Sequence, residues 1–519
     1  MEIVPSTFLA LAAVLVILIQ GPRRGLWAFL GLAPLGAAAA FNLPAVGGAT
    51  IGMKEVGVLA LVLCVTLRAG GAGQMIGALR PGQPGFALLL FMAYSVISAL
   101  FAPVIFRGAT EIFSLSRDAN SVAGIVTIPL RPTSGNITQL FSLGLGFLAY
   151  TTLAATFRTR PDARAVLIAL ALTTVFHVLL GMLDVATFAT GTTALMEPLR
   201  SANYDMLVDH RMMGLKRMIG GFPEASVFGA FSLALFAFWL QVWARAPRSA
   251  LFLPMMLISL AVLLRSTSSG AYVALVGFLM IFGAAQLGGV VRQDASKQAM
   301  GLLVMLVSLL WISVIGLFVL YQLSDQVSAF LDRALLDKLQ TSSGVERMSW
   351  NTQAFRNFSD TWMLGAGLGS ARASNWLLAS LSNVGLPGTL LYIWFLVAVL
   401  RAPTRHADPT TKATIMGLKA AGIGLMLNDL LTAGSPNQGV FFFALAGLAV
   451  GLSRAGTMRV GRSGRSGRSV ESVESGRSPI SPSLPVRGVS GAVVVIAGLV
   501  LSPPLARAEA LVAPVFGAA

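Results

Sequence analysis

Charge is scarce in this chain: Asp, Glu, Lys and Arg make up 11% of its 519 residues, against about a quarter in soluble domains. That shortage excludes an ordinary soluble globular protein. Cysteine is almost absent. The single Cys64 lies in the apolar run VGVLALVLCVTL, where it has no partner for an internal disulfide and reads as packing. Only three histidines occur, and no His/Cys/Asp cluster stands at ligand spacing, so the sequence calls for no metal and no other cofactor. Acidic residues are outnumbered 37 to 21 by Lys and Arg, leaving a net charge of +16.

What the chain has in abundance is hydrophobic sequence, 55% of its residues, with a mean hydropathy of +0.78. A helix needs about 20 apolar residues to cross the hydrocarbon core. Such runs fall near 5–20, 25–44, 55–68, 84–106, 138–157, 165–188, 220–243, 249–264, 270–290, 300–321, 376–400, 413–433 and 438–453. The fold class expected is an all-α polytopic membrane protein with about 13 (12–14) transmembrane helices. A last apolar run, GAVVVIAGLVLSPPLA from Gly491, has flanks like those of a secretory signal, but signals act at the N-terminus. Residues 491–519 therefore read as a terminal hydrophobic segment.

The basic residues set the orientation. GPRRG at 21–25, LRAGGAGQMIGALRPG at 67–82, RTRPDAR at 158–164, WARAPRS at 243–249, VRQDASK at 291–297 and RAPTRHADPTTK at 401–412 fall in alternate loops. The tail that begins SRAGTMRVGRSGRSGRS falls on the same side. The positive-inside rule makes all of these cytoplasmic, so the positive charge serves topology and not nucleic acid. Residues 1–453 form the expected transmembrane domain, and 454–490 a disordered, basic cytoplasmic linker. The loops at 107–137, 190–219 and 322–375 then face outward. Loops this long are seldom passive connectors.

The largest of them carries five basic residues (Arg333, Lys338, Arg347, Arg356, Arg372) and five acidic ones (Asp325, Asp332, Asp337, Glu346, Asp360). SDQVSAFLDRALLDKL, 324–339, has apolar residues at helical spacing and reads as an amphipathic surface helix. Ser343 with Glu346 three residues on has the form of a capping box, which would open a helix there. Glu346 is then either a cap or a catalytic carboxylate. Trp350, Ala354 and Phe358 make one stripe of that helix, while Arg347 and Arg356 point opposite ways. Arg347 would sit in the first turn, where a cation is disfavoured unless an anion visits. Gly365, Gly367 and Gly369 in GAGLGS serve either as a flexible re-entry into the membrane or as a close backbone approach to a phosphate or sugar. NVGLPG at 383–388 is a turn inside an apolar run and implies a kinked span.

In the middle loop, Arg211, Lys216 and Arg217 concentrate positive charge on the side where it is normally sparse. They read as lipid-snorkelling side chains or as an anion site. Glu224 in FPEAS opens a span near the interface, and Arg265 ends one on the same side.

Taken in order, these residues resemble the O-antigen ligase/polymerase superfamily of bacterial envelope enzymes. The matching positions are Arg217–Gly220–Phe222, STSSG at 266–270, Ser343–Gly344–Arg347, Gly365–Gly367–Gly369, Asn375 and Gly385–Gly388. They span most of residues 200–400. The family commonly has His-Asn where this chain has Ser374-Asn375, and serine cannot act as the base. That departure favours a polymerase over a ligase. The resemblance implies a C-type glycosyltransferase-like protein of the inner membrane with a large periplasmic loop and a site facing the periplasm. Its donor would be an undecaprenyl-pyrophosphate-linked glycan and its acceptor a second glycan, among membrane lipids and other export or chain-length proteins. Arg211, Lys216, Arg217, Arg265, Arg347, Trp350, the three glycines and Asn375 would bind substrate. Glu224 is the first choice of base, with Glu346 and His210 next. The alternatives are a ligase acting on a lipid or other acceptor and, from another class, a polysaccharide transporter or flippase. A transporter needs ionisable groups deep in the bilayer, where the sequence offers His177, Asn428 and Asp429.

Cysteines introduced at Ser342 and Ser463 test the orientation. In whole cells an impermeant thiol reagent should label the first and spare the second; equal labelling would remove the assigned sidedness.

Overall fold

The structure, a computed structural model, describes residues 2–43, 49–115, 125–204, 206–209, 211–212, 215–246, 249–291, 342–404 and 408–466, with scattered positions between 301 and 328. His210, most of the expected span at 300–321, most of the amphipathic stretch at 324–339 and the segment at 491–519 lie outside the described residues. The chain divides into a unit of Met1–Ser463 and a terminal unit, Gly464–Ala519, of which only 464–466 are described.

The protein is a mostly helical, multi-pass membrane protein. Its helices are α1 (Pro5–Arg24), α2 (Leu26–Gly31), α3 (Met53–Thr66), α4 (Gly71–Ala78), α5 (Pro84–Ile105), α6 (Ser134–Thr159), α7 (Ala163–Thr190), α8 (Ala225–Arg245), α9 (Phe252–Arg265), α10 (Ser269–Val291), α11 (Ser342–Asp360), α12 (Trp376–Leu400), α13 (Pro409–Thr432) and α14 (Gly439–Ser466). Among the described residues eight are long and apolar enough to cross a membrane: α1, α5, α6, α7, α8, α10, α12 and α13. The α3–α4 pair, bent by 115°, makes a ninth if taken as one span. The apolar helices α9 and Gly439–Ala455 of α14 are shorter. Three short hairpins complete the described structure: β1–β2 (Ala39–Leu43, Ala49–Gly52), β3–β4 (Glu111–Leu115, Ile125–Pro129) and β5–β6 (Arg211–Met212, Leu215–Lys216).

Helix α8 is the centre of the bundle. Its sequence ASVFGAFSLALFAFWLQVWAR is apolar all round, which only burial on every side satisfies. Small residues set how closely its neighbours approach. A Cβ on Gly229 would come within 2.8 Å of Ala271 on α10, and one on Gly417 of α13 within 2.9 Å of Phe238 and Val242. A second core, of Phe91, Tyr150, Tyr392, Phe395 and Phe443, joins α5, α6, α12 and α14; Phe91 stacks on Tyr392 at 4.5 Å.

Two expectations are corrected. Residues 25–44 are not one helix, because GLAPLG at 31–36 breaks it. Only Leu26–Gly31 is α-helical; turns follow, and Ala37 N donates to the Gly221 carbonyl at 2.8 Å. Irregular backbone at membrane depth is tolerated where protein covers it, and residues 26–40 are mostly buried. The basic segment read as disordered from 454 is helical through Ser466, because α14 continues beyond its apolar part and each added residue gains a hydrogen bond. The kink expected in NVGLPG is present: Gly385 breaks α12 with φ 62° and ψ −171°.

Candidate functional site

The site is organised by an aspartate inside the bundle. Asp184, on α7, is 1% exposed. Its Oδ1 pairs with Arg200 Nη2 at 2.5 Å and with Lys216 Nζ, while its Oδ2 accepts the backbone N–H of Ile219 at 2.9 Å and of Gly220 at 3.2 Å. Lys216 and Arg211 also stand over the Phe188 ring, at 5.3 and 5.0 Å. Four donors, from Arg200, Lys216, Ile219 and Gly220, thus tie the segment before α8 to one helix. They draw Met218–Phe222 down beside Leu180 and Gly181, where Phe222 packs in the core. Gly220 (φ 54°) and Gly221 fit this close passage, since a Cβ on Gly220 would touch Phe228 at 3.0 Å. Lys216 is therefore an ion-paired, buried anchor and not the open anion ligand expected.

Arg217 follows directly and is held differently. Its Nη2 donates to the Thr267 carbonyl at 3.3 Å. Thr267 has φ 52°, an uncommon conformation for a β-branched residue, in the Ser-rich turn between α9 and α10. Arg265, at the end of α9, donates to the Lys216 carbonyl at 2.9 Å. Burial holds the Arg217 guanidinium below the ordinary arginine value; Glu224 and Tyr272 oppose that, and Arg347 reinforces it. Glu224, Tyr272 and Arg347, from three different segments, thus all act electrostatically on Arg217. Arg265 acts on the same Tyr272 phenol. Glu224 is half-buried at the N-cap of α8. Its side chain caps no backbone N–H and instead accepts the Ser226 hydroxyl.

Helix α11 differs from its expected start. It already includes Ser342, so Ser343 and Glu346 lie within it and Arg347 is in its second turn. The capping box and the first-turn argument for Arg347 therefore fail. Trp350, Ala354, Asn357 and Thr361 make its inward face, with Ala354 fully buried. Asn351 Oδ1 accepts the Ser374 N–H at 2.8 Å. Glu346 and Arg347 are exposed. The cation over Trp350 is Arg372, 4.5 Å from the ring centre, and not Arg347.

The glycines of GAGLGS and Asn375 have structural work. Gly365, Gly367 and Gly369 have φ of 86°, 103° and 85°. A Cβ would meet Gly385 N at 2.5 Å from Gly365, Pro103 at 2.6 Å from Gly367, and the Gly135 carbonyl from Gly369. The loop is packed against α5, α6 and α12, and this close packing accounts for the glycines. Asn383, buried within NVGLPG, ties it down: Oδ1 accepts from Gly369 N at 2.8 Å and Nδ2 donates to the Ala371 carbonyl at 2.9 Å. Asn375 caps α12, accepting from Leu377 and Leu378, and its Nδ2 donates to the Leu430 carbonyl at 2.6 Å.

Asp184, Tyr272 and Arg372 were given no role in the sequence reading, and Thr267 and Asn383 figured there only within STSSG and NVGLPG. Asp184 had a signal, a lone carboxylate inside the apolar run LLGMLDVATF. Of the deep candidates, His177 bonds Ser232 Oγ at 2.8 Å among Phe222, Phe228 and Phe231. Asp429 accepts from Gln438 Nε2 at 3.4 Å, and Asn428 Nδ2 donates to Thr432 at 2.9 Å. In comparison with known proteins, the chain matches no family model and no curated protein.

Asp184→Asn leaves Lys216 and Arg200 buried against a neutral amide, and breaking a buried pair costs about 3–5 kcal/mol. The variant should melt at a clearly lower temperature in detergent than the wild type, whereas Glu197→Gln, at an exposed position just before that segment, should not. Equal melting of the two would mean that Asp184 does not hold the segment.

Proposed function

We propose that this protein is a glycosyltransferase that polymerises polyprenyl-pyrophosphate-linked oligosaccharides at the periplasmic face of a bacterial inner membrane, with about thirteen spans and the long loops outward. The observation that carries this reading is the half-buried Arg217 guanidinium, held on the Thr267 carbonyl, on which Glu224, Tyr272 and Arg347 all act, with Arg265 acting on the same Tyr272 phenol. Three guanidinium groups against one carboxylate suit a ligand with concentrated negative charge, and arginine forks match phosphate oxygens.

In the proposed reaction an acceptor hydroxyl oxygen attacks the anomeric carbon of the donor sugar. The bond from that carbon to the pyrophosphate oxygen breaks, and its electron pair leaves with polyprenyl pyrophosphate. The hydroxyl proton passes to the Glu224 carboxylate, whose Ser226 hydrogen bond fixes its orientation. Arg217 and Arg347 stabilise the charge that develops on the leaving group. Arg217 is anchored on the Thr267 carbonyl and Arg347 is exposed, so the first is a fixed contact and the second is supplied by a helix surface. Trp350 of that helix and Arg372 of the loop before α12 stack on each other, a flat, charged pair suited to a sugar ring. Ser374, in place of the histidine of the ligase pattern, supports polymerisation over ligation.

Removing one preorganised donor to a developing charge costs about a hundredfold or more in rate. Arg217→Ala and Arg347→Ala should each abolish long glycan chains in cells while single repeats persist and the protein remains in the membrane. Arg356→Ala, on the opposite face of α11, should leave chain length unchanged. Glu224→Gln retains an acceptor for Ser226 and should also lose polymer. Wild-type chains in Arg217→Ala or Glu224→Gln would refute these roles, and unattached long chains on deletion would indicate a ligase.

A further inference from the structure

A second basic site lies at the opposite end of the bundle. Helix α7 joins the two ends, and its 28 residues make a length of about 42 Å. Where α1, α3 and α6 end, a cavity of about 380 Å³ is lined by Arg23, Arg24, Arg68 and Arg160, with Gln74 and Thr156. Arg23 pairs with Asp162 at 3.7 Å. Arg24, Arg68 and Arg160 have no carboxylate partner among the described residues. Thr156 Oγ1 is buried and also lacks a hydrogen-bond partner there.

The cavity is shaped by backbone. Gly21 breaks α1 with φ 74° and ψ 171°, and a Cβ on it would collide with Arg68 Nη2. The Arg68 guanidinium is therefore seated against bare backbone, and the break lets it reach the cavity. Cations at helix ends compensate the helix dipole, but the size of the charge exceeds that task. Each helix C-terminus is worth about half a negative charge. Three such ends offset roughly half of the three net positive charges that four arginines and Asp162 leave, so an unsatisfied cationic field remains.

Beside this cavity the surface is apolar. Ile19 and Leu67 are 76% exposed and Ile76 is 63% exposed. The α4 helix turns 115° from α3, off the direction of the span, and Trp27 donates its Nε1–H to Gln20 at the rim. Cationic cavity and apolar flank stand together at a helix end, which is the geometry of a lipid headgroup with its chains.

We propose that this cavity binds the phosphate of an anionic phospholipid from the leaflet at this end, with the acyl chains lying along Ile19 and Leu67. The site is independent of the chemistry assigned to the outer end. Arg68, just past the end of α3, and Arg160, just past the end of α6, both contact the phosphate oxygens. The recognition is of a phosphate ester, so a free phosphate is the competing source.

The test is a titration of the full-length protein in a neutral detergent with phosphatidylglycerol, phosphatidylcholine or inorganic phosphate, with thermal stability as the readout. Phosphatidylglycerol should raise the melting temperature saturably and phosphatidylcholine should not. Each of Arg68→Gln and Arg160→Gln should weaken the apparent affinity by roughly fivefold, whereas Arg401→Gln, an exposed arginine outside the cavity, should not. Should Arg68→Gln fail to fold, Arg160→Gln, whose side chain is exposed, decides the matter alone. The same rise with inorganic phosphate would reassign the site to free phosphate. Equal effects of the two lipids, or an equal loss in Arg401→Gln, would overturn the proposal.

Discussion

The buried carboxylate of Asp184 is the interaction on which the end of the bundle that carries Arg217 and Glu224 depends. One charge inside a bundle of apolar helices accepts two cationic side chains and two backbone N–H groups. A carboxylate so placed is costly unless each lone pair is used, and here both oxygens are. The result is positional. The chain from Arg200 to Gly220 is fastened to α7, Phe222 is drawn into the core, and Arg217 emerges at a fixed place over the turn at Thr267. Glu224 then falls at the start of α8, the most enclosed helix of the bundle.

A second frame is made of bare backbone. Gly365, Gly367, Gly369 and Gly385 let α12 and the loop before it touch α5 and α6 without side chains between them. Asn383 closes that contact by bonding the loop at Gly369 and Ala371. Trp350, Asn351 and Ala354 dock α11 on the same loop. The polar stretch is thus a packed shelf, with Arg347 and Arg372 exposed at its surface. A rigid shelf and a fastened arginine would suit the proposed transfer, in which two large glycans have to be held in register.

Much of this was legible in the sequence, and the reasons are physical. Long apolar runs are set by bilayer thickness, so the spans at α5, α6, α7, α8, α12 and α13 could be read with their ends close to right. The run 25–44 misled because burial inside the protein relaxes the demand for a continuous helix, and hydropathy does not report what covers a segment. Arg217 and Glu224 stood out as ionisable groups next to a span. The glycines of GAGLGS stood out equally, but a positive φ required by packing and one required by a ligand leave the same residue type. Asp184 was marked by its apolar surroundings, but its partners, 16 to 36 residues on, and those of Asn383 in the preceding loop are set by the fold and not by a local pattern. The turn at Thr267 depends on a backbone angle that threonine does not advertise.

Whether the outer-end arginines serve glycosyl transfer is tested most directly with purified full-length protein in a lipid bilayer and an undecaprenyl-pyrophosphate-linked oligosaccharide as sole substrate. The expected result is release of undecaprenyl pyrophosphate together with lipid-linked glycan lengthened by whole repeats. A donor that remains intact, or one that crosses the bilayer without loss of its pyrophosphate bond, would contradict it.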